Sequence, residues 1–515
     1  MRIKQKKYLF IVIAIFSNFI FFYLGLEPNG LTINKLFKES GDSIDYVDVS
    51  EKIIKGEDFT FFKTNDDHEY PSNFVDPNTF NKEIFYSFRT PGFSFIYVPL
   101  RLLFSQENTI YIFLLLQIVL GGLCKYLISS IGEKVFNSTK VFYVTYFLLL
   151  TTPLFSQFNN LLLTDSLGSS LLIFSSYYFL ESWESDSKRF NKNLFYSGLF
   201  LTIAVFLRPF LAVFFVPLGI YILWTDKSNF IKLIATSLSF TVIFILIDGA
   251  WIVRNKIKTD AFIPLASTMK FQEHKNKAFF EIKEISSRLA LPMNWWDKDS
   301  PVHWYTSDGK SDINAIFKGL TSDNLNQKII ESRNLFNKSN SNLYTREDRQ
   351  GFETDASAIL LNVKNEIKEN SPFNYYFSCK AELLFDFLNQ PNLRLYHNWK
   401  YPFNLALVFA QSLVQKSISF LGFFLAISLI IFSRIDIKLK IFIGSSVFLT
   451  FLFTFEMLFC EHREISTFYP FFLLAMVGGV STLVKRSKLW TIPILLIFGL
   501  VIHLSYSSVL NEINW

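Results

Sequence analysis

Recurrent apolar runs of roughly 20 residues constrain this chain more than any other feature, because a helix of that length covers the hydrocarbon core of a bilayer. Length and apolarity give about eleven of them. They fall at 8–26, 109–131, 141–155, 161–180, 194–207, 210–224, 231–251, 403–432, 441–459, 467–484 and 489–509. The run at 194–207 is short and reads as a tilted or half-buried helix. A further apolar stretch, Gly92–Phe104, reads as a juxtamembrane segment. Composition agrees: half of the 515 residues are hydrophobic and 61 are phenylalanine, which lipid-facing helices accept readily. The expected fold class is an all-α integral membrane protein, a polytopic bundle of about 11 transmembrane helices.

Charge sets the expected orientation. The net charge of +6 is spread over short clusters between the runs, which excludes nucleic acid and leaves the lipid bilayer as the partner. The clusters are Arg2, Lys4, Lys6 and Lys7; Lys134 with Lys140; Lys188-Arg189 with Lys192; Arg434 with Lys438 and Lys440; and Lys485-Arg486 with Lys488. The positive-inside rule places those ends in the cytoplasm, with the N-terminus. The first run is too long for a cleaved signal core and no small-residue cleavage site follows, so it reads as a retained anchor. No retention signal and no large soluble insert of the eukaryotic kind are seen, which favours a bacterial cytoplasmic (inner) membrane over the endoplasmic reticulum.

Three segments follow from this topology. Residues 1–255 form an N-terminal transmembrane module that includes a first external loop, 27–92. Residues 256–402 are external and too long for a structureless connection, so a small, mainly helical domain is expected there. Residues 403–515 form the C-terminal transmembrane helices. Of the three cysteines, Cys379 and Cys460 share the outer side, and no disulfide framework is expected.

The outer side also collects the conspicuous polar residues. The first loop holds Gly41–Gly56, which reads as a helix with Asp42 and Tyr46 one turn apart on one face, and with Asp45 and Asp48 nearby. Arg89 closes that loop. Asp165 opens the fourth run, and Arg208-Pro209 joins the fifth to the sixth. Asp248 and Arg254 flank the end of the seventh, and Glu456, Glu461, His462 and Arg463 cluster at the end of the ninth. Each has a plain structural reading: a rim arginine reaches headgroups, Asp165 caps its helix, Trp251 and Trp399 anchor at the interface, and Gly41–Gly56 is a solvated acidic helix. Those readings leave the one-sidedness unexplained. Lys125, inside the second run, is close enough to the inner face to snorkel, so no other acid or base is expected near mid-membrane. A transporter needs polar residues there, whereas an active site at the outer rim needs the distribution seen. Six histidines with no zinc-type spacing exclude a structural zinc.

At these residues the chain resembles the GT-C superfamily of polytopic glycosyltransferases, in its branch of protein O-mannosyltransferases and lipid A aminoarabinose transferases. The matching features are Asp42 with Tyr46, the loop end Arg89-Thr90-Pro91-Gly92-Phe93, Asp165-Ser166, Arg208-Pro209, and Trp251 to Asn255. Many relatives have Asp-Glu where this chain has Asp42-Ser43, so Asp45 and Asp48 compete for the same role. The segment 254–400 matches nothing in that family.

The resemblance implies transfer of a sugar from a polyprenyl-phosphate-linked donor to a lipid, glycan or protein acceptor on the outer face of the membrane. Asp42 would be the general base and Asp165 a second carboxylate that aligns an arginine or a sugar hydroxyl. Arg89 and Arg254 would bind the donor phosphate, and Asp45, Tyr46, Arg208, His462 and Arg463 are candidates for substrate contacts. No cofactor is required on this reading and no metal site is assigned, although the Asp42/Asp45/Asp165 set leaves a divalent ion open. Two other classes stay open: a transporter or flippase of lipid-linked glycans, and a non-catalytic scaffold for envelope assembly.

Overall fold

The structure is a computed structural model that describes residues 6–24, 41–57, 59, 89–152, 159, 161–182, 191–226, 230–259, 262–265, 277–289, 291, 300–306, 317, 323–341, 343–389, 403–456 and 466–513. Among these residues every regular element is helical. Each of the eleven apolar runs overlaps helix among the described residues: α1 (Lys7–Leu24), then, after α2 (Gly41–Ile54) within the first loop and α3 (Gly92–Leu103) in the segment that follows it, the long α4 (Gln106–Phe136) and α5 (Thr139–Thr151). α6 (Asp165–Glu181), α7 (Lys192–Leu207), α8 (Phe215–Asp226) and α9 (Phe230–Thr259) complete the first module. Five helical stretches are long and apolar enough to cross a membrane: Gln106–Phe136, Phe230–Lys258, Phe409–Phe432, Ile437–Thr454 and Lys488–Ser507.

Local chemistry sets the helix ends. The Ser105 hydroxyl accepts from the Asn108 N–H at 3.3 Å at the start of α4, and Asn137, left-handed at φ 45°, ends it. Gly56 stops α2 at φ 76°: its N–H reaches the Ile53 carbonyl at 3.0 Å, and the Glu57 N–H reaches Lys52 at 2.9 Å, the paired bonds of a Schellman end. α1 runs antiparallel to α4, with the Asn18 amide donating to the Ile118 carbonyl at 3.0 Å and Gly122 passing against Ile15. That packing corrects the expectation for Lys125. Side chains lean towards the N-terminus of their own helix, which in α4 is away from the basic end. The Lys125 amine therefore points inward, fully buried, donating to the Ser17 hydroxyl at 2.9 Å beneath the Phe21 ring.

The segment between the transmembrane modules contains α10 (Lys277–Arg288), α11 (Pro301–Thr306), α12 (Asp323–Ser339), α13 (Arg346–Asn370) and, after a π-helical turn, α14 (Cys379–Asn389). These helices bury a core of their own around Ile282, Tyr305, Ile329, Phe336, Leu360 and Val363. α14 departs from it: Phe387 and Leu388 belong to the main membrane core, and Phe385 packs on Phe420. The Cys379 thiol donates to the Tyr375 carbonyl at 3.0 Å, while Cys460 and Trp399 lie outside the described residues. The C-terminal module consists of α15 (Phe403–Lys416) and α16 (Phe423–Phe432), joined by a π-turn, then α17 (Ile437–Phe451), α18 (Tyr469–Arg486) and α19 (Thr491–Ile513).

Candidate active site

The site forms where two membrane helices stop short. α6 begins only at Asp165, and α7 ends at Leu207 because a proline at 209 disfavours helical backbone at Arg208, which is extended at φ −140°. At 16 and 17 residues these helices span about 25 Å, less than a hydrocarbon core. The irregular backbone on either side is tolerable in a membrane protein only where protein partners satisfy it. They are present: the Gln117 amide donates to the Leu161 carbonyl at 3.0 Å, and Ser166 donates to Asn159 Oδ1 at 2.5 Å.

Arg208 turns back from this break to Asp165. Its Nη1 lies 2.8 Å from Asp165 Oδ1, with the side chains only 9% and 1% exposed. Gly168 makes room for the arginine stem, since a Cβ there would stand 2.9 Å from Arg208 Cγ. The end of the first loop docks onto the same break. The Thr90 hydroxyl donates to the Phe206 carbonyl at 2.5 Å, and a Cβ on Gly92 would meet that carbonyl oxygen at 2.1 Å. Only glycine lets α3 approach so closely.

From this dock Arg89 reaches α2. Its Nη1 donates to the Tyr46 hydroxyl at 2.9 Å, and its guanidinium carbon lies 4.7 Å from the Tyr46 ring centroid. Phe93 stacks on the same ring at 5.1 Å, and the Tyr46 hydroxyl meets Thr164 Oγ1 at 3.3 Å. One line therefore runs from Arg89 through Tyr46 to Thr164, whose neighbour is the Asp165–Arg208 pair. α2 is pinned below by Ser50 with Ser94 at 2.9 Å, and by Glu51, which accepts from Tyr97 at 3.1 Å and Arg101 at 2.9 Å. The Tyr46 contact fixes the direction of the Arg89 guanidinium.

Arg254 is held elsewhere on the loop. It donates to the Phe59 carbonyl and, at 2.9 Å, to Asn255 Oδ1, with its guanidinium over Trp251 at 4.6 Å and Phe59 at 5.4 Å. Trp251 is itself buried and donates its indole N–H to the Leu265 carbonyl, so it is not the interface anchor expected from sequence. Asp248 serves the same segment, accepting from the Leu265 N–H at 3.0 Å.

The structure thus brings Tyr46, Arg89, Asp165 and Arg208 together, and among the described residues Arg254 meets Phe59, Trp251 and Asn255. α2 carries Asp42 one turn before Tyr46, while the side chains of Asp42 and Asp45 lie outside the described residues, as do His462 and Arg463. Asp48 is exposed and pairs, one turn on, with the mostly buried Lys52 side chain at 2.7 Å. Near the described restart at Ser466, Thr467 accepts from Ser169 at 3.1 Å and Phe468 packs on Phe210. Among the described residues no three His, Cys, Asp or Glu side chains converge as a metal site would require. Thr164 and Gly168 escape sequence reading, since a lone hydroxyl or glycine carries no signal of its own.

Residues 89–252 match the family model described as dolichyl-phosphate-mannose-protein mannosyltransferase. That stretch includes Arg89, Asp165 and Arg208. Among solved structures, the chain is similar to the apo crystal structure of ArnT from Cupriavidus metallidurans, at 11% identity over 93% of this chain and 78% of that one, with a TM-score of 0.32. A search of curated proteins gives no match.

Proposed function

We propose that this chain, a membrane glycosyltransferase of the GT-C type by its family match, moves a sugar from a polyprenyl-phosphate carrier to an acceptor outside the cytoplasmic membrane. The acceptor oxygen or nitrogen attacks the anomeric carbon as the bond from that carbon to the phosphate oxygen breaks, inverting the centre. The acceptor proton passes to Asp42, and the carrier phosphate departs with the bond electrons. General-base help of this kind is typically worth ~10²–10⁴-fold. Arg89 takes the growing charge on the phosphate, as a planar guanidinium in a low-dielectric rim does well. Arg254, Arg463 and His462 are further candidates at the donor, and Asp45 at the acceptor. No metal is required on this mechanism.

One observation carries the reading: Arg89 is held by Tyr46, one turn after Asp42 on α2, beside the buried Asp165–Arg208 pair. The test is release of polyprenyl phosphate by the purified full chain given a polyprenyl-phosphate sugar and cell-envelope acceptors, with and without EDTA. Asp42→Asn is expected to stop turnover with an unchanged melting transition. Full activity in that variant moves the base to Asp45. A transport reading draws on a different observation, the buried amine of Lys125.

A further inference from the structure

At the opposite end of the bundle, α1, α4, α6 and α7 leave a cleft of about 380 Å³ that the proposed chemistry does not use. Its lining changes character with depth. At the mouth are Lys7 in the first turn of α1, Glu181 at the end of α6 and Asn193 in the first turn of α7. One turn deeper lie Ile11 and three tyrosines, Tyr126, Tyr177 and Tyr178, and below them the wall is Leu123 and Phe174. Polar mouth, aromatic belt and apolar floor repeat the sequence of headgroup, interface and chain in a membrane lipid. The mouth also has a sign. Glu181 is paired with Lys134 at 3.0 Å, which leaves the lining with the positive charge of exposed Lys7. Lys192, beside Asn193, lies 5.6 Å from the Tyr196 ring at the same end. Basic pockets between transmembrane helices on the cytoplasmic side suit anionic lipid headgroups.

We infer that this cleft binds one anionic phospholipid from the leaflet at the basic end of the bundle, its phosphate at Lys7 and one acyl chain against Leu123 and Phe174. The lipid seals α1 against α6 by covering a lining in which Tyr177 and Tyr178 already pack edge to face at 5.6 Å. Binding here is independent of the transfer reaction and is read without activity.

Native mass spectrometry of the detergent-solubilised full chain, titrated with phosphatidylglycerol and with phosphatidylcholine of the same chains, tests the site. One phosphatidylglycerol is expected to stay bound at concentrations where phosphatidylcholine is lost. Lys7→Gln, at an exposed position that folding does not need, is expected to weaken it about fivefold. Leu123→Trp, which fills the floor, is expected to remove it. Equal retention of the two lipids by the unmodified chain overturns the proposal, as does unchanged retention of phosphatidylglycerol in Lys7→Gln.

Discussion

Asp165 and Arg208 are oppositely charged, nearly sealed from solvent and 2.8 Å apart, which makes them mutually dependent. Breaking a buried pair by removing one partner leaves an uncompensated charge and costs about 3–5 kcal/mol, whereas replacing both with apolar groups is often neutral. Asp165→Leu and Arg208→Met are each expected to lower the melting transition of the detergent-solubilised chain. The double variant is expected to recover most of that loss, and additive losses would show that the two do not act as a pair. The motifs single out Asp165, Arg208, Arg89 and Tyr46 one by one, and the pairing of Asp165 with Arg208 at 2.8 Å is a contact the motifs do not state. Thr164 was not legible, because nothing in its neighbours says that its hydroxyl meets a tyrosine more than a hundred residues away. Lys125 was misread because counting residues from a helix end ignores which way the side chain leans.

Between elements, backbone approach decides whether the site assembles. Gly92 sits where a Cβ would meet the Phe206 carbonyl oxygen at 2.1 Å, and a backbone carbonyl cannot swing aside as a side chain can. Gly92→Ala is expected to push α3 off the end of α7, break the Thr90 bond and displace Arg89. A displacement of about 1 Å can cost ~10²-fold in rate. Gly219→Ala is the control: nothing lies within 4 Å of its Cβ, so transfer is expected to stay unchanged. Transfer rates and melting transitions of the two variants, measured together, decide the matter, and equal activity would remove the docking argument. The sequence shows Gly92 within a motif but not what it approaches, since close contact is a property of two segments.

The helices between the two membrane modules carry a second dependence at the same scale. Lys364 bonds Glu281 at 2.5 Å and Glu284 at 3.0 Å, and Arg288 reaches Glu284 at 3.3 Å. Burial alone would raise the Glu284 carboxyl, but Lys364 and Arg288 bring it below its ordinary 4.5. Burial alone would lower Lys364, yet the two glutamates hold it above its ordinary 10.5. Stability from Glu284 is therefore present above 4.5 and lost as pH falls through the depressed value. Stability from Lys364 is present below 10.5 and lost as pH rises through the elevated one. Hydrogen-exchange protection of α10 and α13 in the full chain is expected to be greatest between those limits. Protection that stays constant on acidification below the glutamate range would count against the cluster.

Taken whole, the molecule has a basic end, a loop-bearing end and, among the described residues, two buried amines within membrane helices, Lys125 and Lys416. The second donates to the Leu504 carbonyl at 2.9 Å, where the sequence leads us to expect no charge. The apolar runs were legible because lipid favours long apolar helices, and each overlaps helix among the described residues, five of them long and apolar enough to cross a membrane. The depth of individual charges was not legible, and Lys125 matters here because a buried mid-bundle amine is what a transport pathway would keep. A transferase has no use for a charge at that depth. A lysine at the centre of a membrane helix costs about 2.5–3.5 kcal/mol, so Lys125→Met is expected to leave the chain as stable as before or more so. On the transferase reading the variant keeps its release of polyprenyl phosphate within about twofold, because uniform changes far from the reacting atoms leave the barrier alone. On the transport reading it abolishes flux of a lipid-linked sugar in sealed vesicles. Measuring both in one vesicle preparation separates the two: covalent product that persists without Lys125 places the chemistry at the Tyr46–Arg89 end, and loss of flux with no product formed in either protein would assign the chain to transport instead.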